Sequence, residues 1–329
     1  MTSPSAASTD CANRARNRRT CSNNRFFLLP CIGADPLWLS WYGLDNRRIA
    51  EEVSALFNVL LSDKVDCLRK CHWVASPLTP NDTWCADFKG HFKTGDGLYC
   101  YPLTVTDGYS RYLLGCQALY TTAVQAAKPV FTRLFKEYGL PKRIRTDNGV
   151  PFATHTLARL SSLSAWWVRL GILPELIEPG KPQQNGRHER MHRTLKAETT
   201  RPAAGSLAAQ QRKFNAFREE FNHERPHEAL DMQTPACLYQ PSAREMPNKI
   251  PPLEYPDRFE VRYVSANGGI RWKRDWVNVS IVCVGEYVGL EEIDDGVWNV
   301  YFGPLKLGRL NERHMKIEDE YGRLNRVKV

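Results

Sequence analysis

Arg143-Ile144-Arg145-Thr146-Asp147-Asn148-Gly149 reads as a short strand that runs directly into an acidic turn. Its neighbours decide the fold class. Residues 123–138 upstream read as an amphipathic helix, with Val130, Leu134 and Phe135 on one face and Gly139 and Pro141 ending it. Three strand-like runs come earlier: Trp84-Cys85-Ala86-Asp87-Phe88, residues 98–106 and residues 111–118. Gly95 and Gly97 punctuate the turn between the first two. Downstream come a helix at 156–170, a strand at 173–177, a long helix at 184–200 and another at 207–221. Three strands, helix, strand, helix, strand and helix predict a mixed α/β sheet with helices on both faces.

Three carboxylates occupy notable places in that order. Asp87 lies in the first strand, Asp147 opens the loop at a strand's carboxyl end, and Glu189 sits in the first turns of the long helix. A lone carboxylate is ordinarily a solvated surface group. Three at separate elements, with no local Lys or Arg pairing pattern, form a constellation.

The surrounding residues carry a family resemblance. Trp84-Cys85-Ala86-Asp87-Phe88-Lys89-Gly90, Thr146-Asp147-Asn148-Gly149-Val150-Pro151-Phe152 and Pro182-Gln183-Gln184-Asn185-Gly186-Arg187-His188-Glu189-Arg190 resemble the three acidic motifs of the retroviral-integrase-type (DDE) catalytic core. The nearest likeness is to bacterial insertion-sequence transposases. Asn222-His223-Glu224-Arg225-Pro226-His227-Glu228-Ala229-Leu230, then Thr234-Pro235, resembles the segment after the core in those transposases. The resemblance covers roughly residues 84–240, about half the chain. It implies an RNase H-like sheet flanked by helices, and phosphoryl transfer on DNA.

The chemistry agrees with those residue types. A phosphodiester transition state is strongly anionic, and water or a DNA 3′-hydroxyl is a weak nucleophile. Two divalent cations about 3.5–4 Å apart can activate one oxygen and stabilise the other. Mg²⁺ wants hard oxygen ligands and keeps several waters, so a few carboxylates suffice. The resemblance implies two Mg²⁺, with Mn²⁺ as a substitute. It makes Asp87 the bridging ligand, Asp147 a ligand of one cation and Glu189 of the other.

Rivals for the third acid are Glu178, which abuts Pro179-Gly180 in a loop, and Glu198. Glu198 lies nine residues past Glu189, about 2.5 turns and so on the opposite helix face. The 41 residues between Asp147 and Glu189 exceed the usual integrase spacing, and the helical stretch 160–170 absorbs the surplus. Asp107 also follows a strand, and its position suits a turn cap better than a ligand. Gly149 suits a positive φ in the turn after Asp147. Trp166 and Trp167 suit core or interface.

Charge sharpens the reading. The chain of 329 residues has 45 Lys+Arg, 36 Asp+Glu and a net charge of +9. Residues 10–25 carry five Arg and one Asp, and residues 181–225 carry ten Lys+Arg and five Glu. Those two stretches hold the whole surplus, and such localisation points to an anion-binding surface. Glu189, Arg193 and Lys196 are spaced to share one helix face. Lys181, Arg187, Arg190, Arg193 and Lys196 are the candidate DNA-contacting residues. The bland alternative is a solvated basic helix with ordinary Glu–Arg pairs. Lys181, Gln183 and Gln184 fall in a loop that could gate the site.

The flanks are simpler. Residues 1–44 read as a disordered basic arm, and 45–80 as a short helical segment, either a helix-turn-helix remnant or a supporting helical pair. The integrase-like core spans 81–240. A Pro-rich linker follows at 241–256, then a small, SH3-like β-barrel at 257–312, and a polar tail at 313–329. Ten Cys are scattered through the chain, and Cys85, Cys100 and Cys116 read as small buried apolar residues. Cys67-x3-Cys71-His72 lacks a second Cys/His pair, which argues against structural zinc. No apolar run is long enough to span a membrane. The apolar run 26–34 lacks a clear cleavage site, so a cytoplasmic protein is expected, nucleoid-associated if bacterial.

The expectation is a DDE transposase that cuts transposon ends and joins them to target DNA as a homo-multimer. Two alternatives stand beside it: an inactive, truncated remnant that only binds DNA, and an RNase H-like nuclease.

Overall fold

The computed structural model describes residues 77–177 and 186–318. The expected basic arm, all but residues 77–80 of the expected helical segment 45–80 (with Cys67, Cys71 and His72), residues 178–185 (with Glu178 and Lys181) and the residues beyond 318 lie outside the described residues. No helix among the described residues is long and apolar enough to cross a membrane.

The first sheet is built from β1 (Thr83–Phe88), β2 (Phe92–Lys93), β3 (Tyr99–Asp107), β4 (Leu113–Leu119), β5 (Arg143–Thr146) and β6 (Leu173–Leu176). β1 pairs antiparallel with β3 and parallel with β5. β4 joins β3 antiparallel, and β6 joins β5 parallel. The order β4-β3-β1-β5-β6 is that of an RNase H-like mixed sheet, and short β2 is added beside the start of β3.

Strand alternation assigns the two faces. Trp84 and Ala86 of β1, with Leu103 and Val105 of β3, join one core cluster. Helices α1 (Val124–Tyr138) and α2 (Ser162–Arg169) cover them with Phe131, Leu134, Phe135, Trp166 and Trp167. On the opposite face, Cys100, Leu113 and Cys116 pack beneath α3 (Gly186–Thr199) and α4 (Leu207–His223) through Met191, Leu195, Phe214, Phe217 and Phe221. Cys85, Cys100 and Cys116 are buried, and Trp166 and Trp167 are core.

One expected helix is divided. Residues 156–170 fold as a 3-10 turn at Leu157–Arg159, with positive φ at Ala158 and Arg159, followed by α2. The break is local chemistry. Ser161 caps α2 by accepting from the Ser164 N–H at 3.1 Å, and Ser164 Oγ accepts from the Ser161 N–H at 2.8 Å. Hydrophobic spacing does not register that serine pair.

β4 is an edge strand, and α4 closes it with amide side chains. Asn222 accepts from the Leu113 N–H at 2.8 Å and donates to the Leu113 carbonyl at 3.0 Å. Gln211 accepts from the Ala118 N–H at 2.8 Å and donates to the Cys116 carbonyl at 2.9 Å. The edge groups thus find partners without another strand.

The Pro-rich stretch 241–256 is strapped to the core. Leu140 N–H donates to the Arg244 carbonyl, Ser242 N–H to Tyr138, and the Arg244 guanidinium to the carbonyls of Pro141 and Gly171. Gly139, at φ 75°, ends α1 where a Cβ would meet the Ser242 carbonyl at 2.5 Å.

Beyond it, α5 (Pro235–Leu238) having already passed, five strands pair antiparallel in the order β13-β12-β11-β10-β7. These are β7 (Glu260–Tyr263), β10 (Tyr287–Asp294), β11 (Val297–Phe302), β12 (Leu305–Asn311) and β13 (Lys316–Glu318). The hairpin of β8 (Gly269–Trp272) and β9 (Asp275–Asn278) touches β7 at one end and β13 at the other, so the sheet curls on itself. β13 lies past residue 312, inside the stretch that composition marks as tail. Leu157, Leu160, Ala165 and Val168 of the first sheet's layer share one apolar cluster with Val264, Leu290, Val300 and Phe302. Arg169 and Glu286 pair at 3.0 Å beside it.

Candidate active site

Asp87 lies on the odd-numbered face of β1, opposite Trp84 and Ala86, so it faces α3. Its register partner across the sheet is Thr104. Asp147 follows β5, the strand parallel to β1 on its other side. Glu189 stands in the first turn of α3.

Asp87 senses both of the other acids. Burial is the largest cause pushing the Asp87 carboxyl up to about 7; the Asp147 carboxylate adds to it, and Glu189 adds further. The Lys89 ammonium and the Phe88 N–H act in the opposite direction.

Asp147 is held by its own turn. The Gly149 N–H donates to Asp147 Oδ1 at 3.1 Å, and Asn148 donates to the Ile177 carbonyl at 2.9 Å. Gly149 does not take a positive φ, contrary to the expectation for this turn. Its lack of a side chain matters for another reason: a Cβ there would stand 3.2 Å from Asp147 Oδ2.

The helix α3 divides cleanly. His188, Met191, His192, Leu195 and Thr199 are buried, while Glu189, Arg190, Arg193 and Lys196 are exposed. The three cations thus line the solvent side of the helix that carries Glu189. The side chain of Arg187 lies outside the described residues.

Glu198 and Asp107 are engaged elsewhere. Glu198 accepts both arms of the Arg225 guanidinium at 3.0 Å. Asp107 is a buried turn cap, accepting from the Asn81 N–H, the Ser110 N–H and the Ser110 hydroxyl within 2.8 Å. Burial raises its carboxyl, and those donors oppose the rise. His227 packs edge-on against Phe221, with ring centroids 4.8 Å apart.

Sequence reasoning missed the floor of the site. His188 and His192 are buried beneath Asp87, their rings edge to face at 4.4 Å. His192 Nδ1 stands 3.6 Å from Asp87 Oδ2. Asp87, His188 and His192 are the group of ligand-type residues that fall within 4.8 Å of one another among the described residues. The i, i+4 histidines on one helix and the i, i+2 threonines on one strand were the available signal. Lys89 was likewise inside a quoted motif without a role.

The residues suit a divalent cation. Three carboxylates supply hard oxygen donors, and the upward push on Asp87 is the cost that a cation's charge relieves.

Residues 77–182 match a family model described as "Integrase core domain", and residues 170–235 match a second model with the same description. The chain is 27% identical over 165 residues to an uncharacterized 31.7 kDa protein of insertion element IS407 from Burkholderia multivorans, covering 50% of this chain and 57% of that protein. It is 30% identical over 165 residues to an uncharacterized 39.2 kDa protein of insertion element IS476 from Xanthomonas euvesicatoria, covering 48% and 44%. The aligned stretch thus spans about half of each of these relatives. The HTLV-2 integrase catalytic core domain in complex with magnesium superimposes with a TM-score of 0.40 at 17% identity, over 50% of this chain and 99% of that one.

Proposed function

From an integrase core domain at residues 77–235, we infer that this chain is a bacterial insertion-sequence transposase that cuts and joins DNA strands at element ends. One observation carries the reading: the parallel register that pairs Ala86 with Thr146 sets Asp87 and Asp147 on neighbouring strands, and Glu189 stands in the first turn of α3, which covers the same face as Asp87.

Asp87, Asp147 and Glu189 would hold two Mg²⁺, with Mn²⁺ as a substitute. Bound there, divalent cations supply Lewis acidity to the attacking and leaving oxygens of the phosphodiester. The chain's own residues do the rest. The carboxylates fix where the reacting phosphate sits. Arg190, Arg193 and Lys196, exposed along the same helix, bind backbone phosphates and bring DNA to the acids. Lys181 and Arg187, the other basic candidates, would contact DNA phosphates as well. Water attacks first and frees a 3′-hydroxyl; that hydroxyl then attacks target DNA, and one phosphodiester bond forms as another breaks. Two ends must be joined together, so the working form is a homo-multimer on DNA.

The test is a strand-transfer assay of the full chain on DNA ends taken from the repeats flanking its gene. Joined product that requires Mg²⁺ or Mn²⁺ and disappears in Asp87→Asn and Glu189→Gln, with gel-shift binding retained, is expected. Binding without any product would identify a DNA-binding remnant, and hybrid cleavage without joining an RNase H-like nuclease.

A further inference from the structure

One end of the first sheet runs out past its helices. On β3, Leu103 is fully buried against α1 and α2, Tyr101 is half-buried, and Tyr99 is 46% exposed. Alternation puts all three side chains on one face. β2 pairs with this end of β3, Phe92 opposite Cys100 and Lys93 opposite Tyr99. Phe92 and Cys100 turn to the other face and pack with Phe214 of α4.

The face left to solvent is aromatic, where a solvated strand face ordinarily carries polar residues. His91 stands edge-on to Tyr99, with ring centroids 5.1 Å apart, and 5.4 Å from Tyr101. Tyr99 and Tyr101 are 6.4 Å apart. Two lysines border the rings. Lys93 holds its ammonium 5.1 Å from the Tyr99 centroid, and Lys89 starts the turn, its N–H on the Pro102 carbonyl at 3.0 Å. Asp96, the acid of this hairpin, is tied into its own loop by the Thr94 hydroxyl at 2.5 Å and the Leu98 N–H at 3.2 Å.

The hairpin is anchored from behind. The Gly95 N–H donates to the carbonyl of Ala204, in the link between α3 and α4, at 2.8 Å, and a Cβ on Gly95 would meet the Gly205 Cα at 2.9 Å. Rings fixed before a ligand arrives lose little freedom in binding it.

The position relative to Asp87 says what would lie there. Thr104 is the cross-strand partner of Asp87, and Tyr101 and Tyr99 are three and five residues from it on β3, about 10 and 17 Å along the strand. A DNA strand advances about 3.4 Å per nucleotide in B-form, so one whose phosphate sits at the acids reaches these rings within about three to five nucleotides. Bases in a duplex cover one another's faces. An unpaired base offers its face to an aromatic ring, and its phosphates to the neighbouring cations.

We propose that His91, Tyr99 and Tyr101, flanked by Lys89 and Lys93, form a stacking platform for unpaired bases of the DNA strand that passes the acid site. The inference rests on the chain acting on DNA at Asp87. Every base has a stackable face, so the platform takes an unpaired strand whatever its sequence.

The test uses the full chain and a duplex end from the repeats flanking its gene, either blunt or carrying a short unpaired thymidine extension. Fluorescence anisotropy should show that the extension tightens binding. Tyr99→Ala and Tyr101→Ala should each remove roughly fivefold or more of that gain, and Tyr99→Trp should keep it. Photo-crosslinking from 5-iodouracil in the extension, done on the unaltered chain, should mark Tyr99, Tyr101 or His91. An extension that adds nothing, a gain that survives both alanine variants, or crosslinks confined to other residues would each overturn the proposal. If in that case the blunt end is still bound and joined in a reaction that Asp87→Asn abolishes, the transposase reading stands and the platform alone fails. If neither DNA is bound, both fail.

Discussion

Asn222 makes both hydrogen bonds that a neighbouring strand would make to Leu113, accepting from its N–H and donating to its carbonyl. A helix side chain thereby finishes the sheet on which the acidic cluster is built. Asn222→Ala should cost about 2–4 kcal/mol, since two buried backbone groups lose their partner. Urea denaturation of the two proteins measures it. A change within about 0.5 kcal/mol would mean the edge finds other partners.

Glu189 and Glu198 sit on one helix with separate tasks. Glu189→Gln should abolish strand transfer with little change in stability. Glu198→Gln should leave transfer intact and weaken only the partly exposed Arg225 pair, by less than about 1 kcal/mol. Comparing both variants in the joining assay separates the assignments.

Asp87 makes stability depend on pH. Its folded carboxyl is raised from 3.8 to about 7, chiefly by burial. The associated stability is complete below about pH 4 and is lost as pH rises through about 7, where the buried group ionises. Cation-free Asp87→Asn should therefore melt above the parent by a wider margin at pH 8 than at pH 5. Mn²⁺ should stabilise the parent and leave the variant unmoved. Thermal melts with and without chelator at both pH values check the signs.

Gly149 leaves room for Asp147. The Cβ of Gly149→Ala would press on Oδ2 from 3.2 Å while the backbone, free of positive φ, tolerates it. Mn²⁺ affinity should fall about tenfold, with stability changed by less than about 1 kcal/mol. Calorimetry and denaturation on the same samples distinguish a displaced ligand from a damaged fold.

The carboxyl-terminal sheet shares its apolar cluster with Leu160 and Val168. Leu160→Ala should cost about 2–5 kcal/mol, because a fully buried side chain leaves a cavity between the two layers. A single unfolding transition that moves down as a unit is expected. Two separated transitions would show that the sheet folds independently of the core.

The sequence alone determined the mixed sheet and most of the element order, and it singled out three acids. These follow from local signals: two-residue alternation, helical periodicity, and turns that punctuate both. Alternation even sets the face of Asp87, because Trp84 and Ala86 must point to the core. The same logic marked 257–312 as β structure but missed β13. Only the tertiary structure decided what lies beneath Asp87. Thr104 and His192 are 88 residues apart, and no local pattern pairs a strand hydroxyl with a helix imidazole. It also decided that Gly149 serves Asp147 by close approach rather than by φ, that Ser161 and Ser164 divide a helix, and that Asn222 closes β4. Each depends on which groups become buried together. A buried polar atom must find a partner wherever the fold provides one, and that demand has no period along the chain.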